Sequence, residues 1–90
     1  MYTDETIEIC KDGVYYLGYR LSLGKAERAV LDVLLQRESG ADTFELSDAS
    51  GVSVGNISTT VKTINRKARA IGGRDLILSG RGLGYRLFEP

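Results

Sequence analysis

The chain has 90 residues, enough for one domain with a small core, and a formal net charge of zero. One cysteine and no histidine exclude an internal disulfide, a Cys/His zinc site and a histidine base. The acidic N-terminus, with Asp4, Glu5 and Glu8, is atypical of a signal peptide, and no apolar run approaches membrane-spanning length. We therefore expect a single cytoplasmic domain over residues 1–90, with no metal, cofactor or membrane partner.

Charge is distributed unevenly along the chain. Residues 1–52 hold five basic and ten acidic side chains, whereas residues 53–90 hold seven basic and two acidic ones. Such an asymmetry indicates an anionic partner at the basic end. Electrostatic attraction between the two halves of the folded domain would explain the same pattern, and this alternative stays open.

Three short strands are predicted at the start of the chain. The segments with strand-forming composition are residues 6–10, 14–17 and 19–23. Asp12-Gly13 is a strong turn signal between the first two. We interpret Tyr15, Tyr16 and Tyr19 as packing groups rather than as a stacking platform for bases. The pattern predicts a small antiparallel sheet.

Two helices are predicted next. The first is capped by Gly24 or Ser22, carries Glu27 in its first turn, where a carboxylate suits the helix dipole, and ends near Arg37. Its apolar stripe comprises Ala26, Ala29, Val30, Val33 and Leu34, widened by Leu31 and Leu35. A short second helix contains Phe44, Leu46 and Ala49, and Gly51 ends it.

A long third helix is predicted over residues 54–71, with Ser53 as its N-cap and Gly72-Gly73 as its stop signal. The glycine-containing turn before Ser53 makes the second and third helices a helix-turn-helix unit. Apolar residues recur at spacings of four, three, four and three, at Ile57, Val61, Ile64, Ala68 and Ile71. We expect this stripe to be buried against the rest of the domain.

The opposite side of the third helix carries Thr59, Lys62, Thr63 and Arg66. No acidic residue lies between Asp48 and Asp75, although a solvated helix normally mixes both signs of charge. A face of one sign suggests a surface that binds an anion. An ordinary solvated face remains the alternative.

A hairpin is predicted at the C-terminus. Residues 76–79 and 85–88 form its strands, and a glycine-rich turn places Arg81 at the tip. Gly82 and Gly84 permit backbone angles that a side chain would strain. A phosphate-binding loop is disfavoured, because no Gly-Lys-Ser/Thr sequence follows and no helix begins there.

These elements predict an α+β winged helix-turn-helix, with an N-terminal antiparallel sheet, three helices and a C-terminal β-hairpin wing. The order resembles the effector domains of OmpR/PhoB-type response regulators over nearly the whole chain. The most specific part is residues 81–87, Arg-Gly-Leu-Gly-Tyr-Arg-Leu, which is similar to the wing motif of that family. Residues 23–34 resemble its first helix, and residues 57–68 resemble its recognition helix.

The resemblance implies sequence-specific binding to double-stranded DNA for transcriptional regulation, with the recognition helix in the major groove and the wing at the minor groove. The candidate DNA-binding residues are Asn56, Thr59, Thr60, Lys62, Thr63, Arg66, Lys67, Ser79 and Arg81. Asparagine suits adenine, and threonine methyl groups suit thymine. The resemblance also suggests RNA polymerase as a partner, and a homodimer or tandem arrangement on DNA.

The chain departs from the family at three places. Gly24 stands where threonine is usual, and Thr60, Thr63 and Asn65 stand where basic residues or histidine are frequent. The tight turn at residues 51–53 replaces a long loop that contacts RNA polymerase in several members, so we do not expect polymerase contact there. The alternative function is a protein-interaction winged helix without direct DNA binding. An enzyme is the weakest interpretation, since the sequence has no recognisable catalytic set.

Overall fold

The computed structural model describes residues 7–11, 13–37, 39–80 and 84–87. The elements follow the predicted order. They are β1 (Ile7–Cys10), β2 (Gly13–Tyr16), β3 (Tyr19–Leu21), α1 (Lys25–Gln36), α2 (Thr43–Ser50), α3 (Val54–Gly72), β4 (Ile77–Gly80) and β5 (Gly84–Leu87). The predicted boundaries agree to within two residues, because glycines and caps mark most of them.

The N-terminal strands form an antiparallel sheet in the order β1-β2-β3. Ile7 pairs with Tyr16, and Val14 pairs with Leu21, so that one face of the sheet presents apolar side chains to the core. Of the tyrosines expected to pack, Tyr16 is buried and Tyr15 is half-buried. Tyr19 differs, because it follows a tight turn at the sheet edge and is 66% exposed.

Three helices enclose the core with this sheet. The buried residues of α1 are Val30, Leu31, Val33, Leu34 and Leu35, which confirms most of the predicted stripe. Ala26 is exposed, since it lies in the first turn, ahead of the packed part of α1. Asp42 caps α2 in a reciprocal arrangement with Glu45, in which each side chain accepts a hydrogen bond from the backbone of the other residue.

The predicted core stripe of α3 is confirmed. Ile57, Val61, Ile64 and Ala68 are buried and Ile71 is half-buried. Gly51 ends α2 and Gly73 ends α3, both in the left-handed conformation that favours glycine. Ser53 occupies the N-cap position of α3, but its side chain makes no capping hydrogen bond.

The C-terminal hairpin, β4 and β5, is the wing, and it is anchored to the segment between α1 and α2. Ala41 forms an isolated antiparallel bridge with Tyr85, with N–H···O distances of 2.8 and 2.9 Å. Gly84 has a φ of +72°, and a Cβ there would lie 2.6 Å from the Ala41 carbonyl oxygen. Glycine is therefore required at this position of the wing motif. The predicted tip residues Arg81, Gly82 and Leu83, and the predicted strand residue Phe88, lie outside the described residues.

Among the described residues, no helix has both the length and the apolar composition that crossing a bilayer requires.

Candidate nucleic-acid interface

The outward face of α3, as defined here, comprises Asn56, Thr59, Lys62, Thr63 and Arg66. Spacings of three and four residues place these side chains on one side of the helix, opposite the buried stripe. Asn56, Thr59, Lys62 and Arg66 are exposed and Thr63 is half-buried. The face combines two cations with hydroxyl and amide groups, and α3 itself contains no carboxylate. These groups can attract phosphates and can exchange hydrogen bonds with base edges.

The N-terminal end of α3 is open to solvent and carries no acidic residue in its first turn. Its positive dipole end is therefore not neutralised by the sequence of α3. Lys25, at the start of α1, lines the same surface groove as Ser53 and Asn56, a space of about 450 Å³. Lys25 is not among the residues that the sequence predicts for this site, because its proximity to α3 depends on how α1 packs across the turn.

Thr60 does not lie on the outward face. Its side chain is only 8% exposed, and its hydroxyl group donates a hydrogen bond to the Asn56 carbonyl oxygen at 2.7 Å. Thr60 lies three residues after Ile57 and four before Ile64, so it shares the buried side of α3 with them. The expectation that Thr60 reads a base edge does not fit this placement.

Lys67 also differs from the sequence expectation. Its Nζ donates hydrogen bonds to Glu27 Oε1 at 2.6 Å and to the Ser22 carbonyl oxygen. The amine therefore joins α3 to the start of α1 and to the end of the N-terminal sheet. In this arrangement Lys67 is a structural cation rather than a free phosphate ligand.

Glu27 responds to this environment. Burial raises the pKa of its carboxyl group, whereas the hydrogen bonds from Lys67 and the Gly24 backbone, and the charges of Lys67 and Arg66, lower it. The lowering effects prevail, so the pKa lies below its ordinary value of 4.5. Glu27 remains ionised near neutral pH and keeps Lys67 directed towards α1.

Asn65 was noted in the sequence only as a departure from the family pattern, but the structure gives it a central position. It is 7% exposed, and its side chain makes hydrogen bonds to Leu76 N, Ile77 N and Ile77 O. Its partners lie 11 and 12 residues away in sequence, beyond any helical or strand periodicity. No sequence signal could have predicted this contact.

The wing contributes two of the expected site residues. Ser79 is exposed on β4 and pairs with Tyr85 of β5. Arg81 lies outside the described residues, so its role stays a prediction. Arg86, which belongs to the wing motif but was not selected as a site residue, is exposed on β5.

A helix-turn-helix formed by α2 and α3, followed by a two-stranded wing, defines the chain as a winged-helix domain. Gly51, Val52 and Ser53 alone separate the two helices, which confirms the tight turn. No three histidine, cysteine or carboxylate side chains in the described part of the chain approach one another as metal ligands would. The candidate interface is formed by one helix and one hairpin.

The fold is that of response-regulator DNA-binding domains. One similar structure is a streptococcal protein from a family of redox sensors evolved from two-component response regulators, at TM-score 0.83 and 18% identity, covering 98% of this chain and 42% of that one. A second is the DNA-binding domain of the response regulator AdeR in complex with an intercistronic region, at TM-score 0.80 and 23% identity, covering 100% and 99%.

A third is the C-terminal domain of the nisin resistance regulator NsrR, a lantibiotic response regulator, at TM-score 0.77 and 21% identity, covering 98% and 97%. These likenesses confirm the winged-helix fold and the predicted resemblance to response-regulator effector domains. The chain spans less than half of the streptococcal protein and nearly all of the two isolated domains. No family model and no curated protein matches the sequence.

Proposed function

We propose that this domain binds double-stranded DNA and acts in transcriptional regulation. The observation that carries the proposal is the α3 outward face, on which Lys62 and Arg66 are exposed in a helix that contains no carboxylate. The AdeR domain, which shares this fold, was crystallised with DNA. The domain is not proposed to be an enzyme, and action on chromosomal DNA would place it in the cytoplasm.

In the proposed complex, α3 enters the major groove. Asn56, Thr59 and Thr63 contact base edges, while Lys62 and Arg66 contact phosphates or bases. Thr63 Oγ1 donates to the Thr59 carbonyl oxygen at 3.0 Å, which leaves its methyl group and lone pairs for base contacts. Selection of duplexes from a random library tests the proposal: an enriched motif supports sequence-specific binding, and recovery without enrichment contradicts it.

The wing is proposed to reach the adjacent minor groove through Arg81, with Ser79 near the backbone. A narrow A/T-rich minor groove has enhanced negative potential and attracts arginine. Arg81→Ala should weaken binding by roughly 1–3 kcal/mol, most strongly on sites with an A/T-rich flank, and Arg81→Lys should recover part of the loss. Titration of two duplexes that differ only in that flank checks this. Unchanged affinity on both would remove the wing from the interface.

A second copy of the domain and RNA polymerase are the further partners that we consider. Two copies bound in tandem, or a homodimer, would read two half-sites, and the enriched motif would then contain a repeat. Polymerase contact, if the domain activates transcription, is not expected at residues 48–53, since the turn there is short. Charge-changing substitution of Asp48 should leave transcription unchanged at constant DNA occupancy. Selective loss of activation would contradict that expectation.

A protein-interaction role is the second candidate, and one observation favours it. Phe44 is 72% exposed on α2, beside the exposed acidic residues Asp42, Glu45 and Asp48. This surface fits a basic protein with an apolar pocket, whereas it repels DNA. If Phe44→Ser and wild type select the same duplex motif with equal affinity, the two surfaces are independent. Absence of any duplex binding by the wild type would favour the protein-interaction role.

A further inference from the structure

A buried amide joins the middle of α3 to the root of the wing. Asn65 Oδ1 accepts hydrogen bonds from Ile77 N at 2.8 Å and from Leu76 N at 3.0 Å. Asn65 Nδ2 donates to the Ile77 carbonyl oxygen at 2.9 Å. One side chain thus satisfies three backbone groups that are shielded from water, at a place where Leu76 and Ile77 are themselves buried.

The geometry imitates a strand neighbour. In an antiparallel ladder, a hydrogen-bonded residue pair exchanges two N–H···O bonds, and the Asn65 amide makes the same exchange with Ile77. Strand β5 pairs with β4 from Ile77 to Gly80. In an antiparallel strand the N–H and C=O groups of one residue point to the same side, and those of Ile77 point to Asn65. Asn65 therefore takes the place of a third strand at the first residue of β4.

The hydrogen bonds to Asn65 fix the direction of the segment between α3 and β4, which the backbone of that segment does not determine by itself. The helix α3 ends at Gly72, and Gly73 follows in the left-handed conformation, so the chain can leave α3 in several directions. Burial of Leu76 and Ile77 holds this segment against the core, but apolar packing is not directional. The hydrogen bonds to Asn65 are directional, and they set both the height and the orientation at which β4 begins.

We propose that Asn65 is a positioning residue that aligns the wing with the α3 outward face, and that DNA affinity depends on it although its side chain is buried. The inference rests on the proposed DNA-binding function. Asn65 directly precedes Arg66, so the root of the wing is attached to the turn of α3 that displays this cation. A shift of the wing would change its distance to the DNA backbone while α3 stays seated in the groove.

The test compares Asn65→Leu and Asn65→Ser with a control that is destabilised elsewhere. Leucine matches asparagine closely in size but leaves the three backbone groups unpaired, and serine is too short to reach them. Leu46→Ala is the control, because Leu46 is fully buried in α2 and is not a hydrogen-bond partner of Asn65. All proteins are assayed at a temperature where circular dichroism shows them folded.

Two quantities are measured for each protein. The first is amide hydrogen exchange at Leu76 and Ile77 without DNA; the second is the affinity for a selected duplex as a function of salt. We expect both Asn65 variants to lose protection at these two amides selectively and to bind about tenfold more weakly. Their log–log salt slope should be flatter by about 0.9 for each phosphate contact that the wing loses. Leu46→Ala should keep the wild-type slope.

The two measurements distinguish failure of the Asn65 positioning role from failure of DNA binding itself. Variants that match Leu46→Ala in affinity and slope would overturn the positioning role while DNA binding stands. Equal protection of Leu76 and Ile77 in wild type and variants would overturn it without reference to DNA. If the wild type binds no duplex, the proposed function fails, and with it the claimed effect on affinity. Should Asn65→Leu fail to fold, Asn65→Ser carries the comparison.

Discussion

Three cations of α3 that look equivalent in the sequence have different surroundings in the structure. Lys62, Arg66 and Lys67 all belong to a helix without carboxylates, and all were candidates for DNA contact. The structure leaves Lys62 and Arg66 exposed, whereas Lys67 is bound by Glu27 from 40 residues earlier in the chain. Helical periodicity can predict which side of α3 faces solvent, but it cannot predict a partner supplied by another element.

The Glu27–Lys67 pair gives a pH-dependent contribution to stability. Because the pKa of Glu27 is lower in the folded protein than in the unfolded chain, ionised Glu27 stabilises the fold above pH 4.5. This contribution is lost as pH falls from 4.5 through the lowered pKa. Glu27→Gln should reduce the free energy of unfolding by about 1–2 kcal/mol near neutral pH, and the difference from wild type should shrink in acid. Urea unfolding at several pH values measures it.

The control for this prediction is Asp32→Asn. It removes the charge of a half-exposed pair with Arg28 within one helix, and it should cost less than about 0.5 kcal/mol. A Glu27→Gln effect that persists unchanged below the pKa would show that packing, rather than charge, links Glu27 to Lys67.

Two glycines give predictions of opposite sign. Gly84→Ala should destabilise the domain by roughly 1–3 kcal/mol, because φ is +72° and the new Cβ would meet the Ala41 carbonyl oxygen. Gly55→Ala, in the first turn of α3, meets nothing within 4 Å and should stabilise by up to about 1 kcal/mol. Thermal unfolding of both variants checks the pair. A stable Gly84→Ala would refute the close approach of the wing to Ala41.

At the scale of elements, periodicity predicted α3 and glycine placement predicted the turns, since both are local properties of the sequence. The wing was recognised from the motif at residues 81–87, but its two anchors were not. Ala41 and Asn65 hold the hairpin through contacts distant in sequence. The sequence predicted a short helix from Phe44, Leu46 and Ala49 but did not distinguish exposed Phe44 from fully buried Leu46.

The buried and exposed sides of α3 can be tested by substitution. Ile64 is fully buried at the centre of the predicted stripe, so Ile64→Ala should lower the free energy of unfolding by roughly 2–5 kcal/mol. Thr59→Ala, on the exposed side of the same helix, should change it by less than about 0.5 kcal/mol. Chemical denaturation of the two variants gives their free energies of unfolding and so compares the buried and exposed sides of α3. Equal effects would contradict the assignment of buried and exposed sides.

At the scale of the whole molecule, the charge asymmetry of the sequence has two consequences in the fold. Part of it is satisfied internally, since Glu27 from the acidic half binds Lys67 from the basic half. The rest remains at the surface, with an acidic α2 around Phe44 and a basic α3 outward face. The structure thus confirms an electrostatic attraction between the two halves at one ion pair, whereas an anionic partner for the basic surface stays a prediction. The net charge of zero alone did not distinguish a DNA-binding domain from a protein-binding one.

Whether the α3 outward face binds DNA is tested by the salt dependence of duplex binding for wild type, Lys62→Ala, Arg66→Ala and Lys11→Ala. Lys11 is exposed after β1, on the N-terminal sheet, and its substitution removes the same charge away from α3. We predict that wild type and Lys11→Ala share one log–log slope, and that each α3 variant binds more weakly, with a slope flatter by about 0.9 where the lost cation contacts a phosphate. Equal slopes and affinities for all four proteins would contradict the assignment of the α3 outward face as the DNA-binding surface.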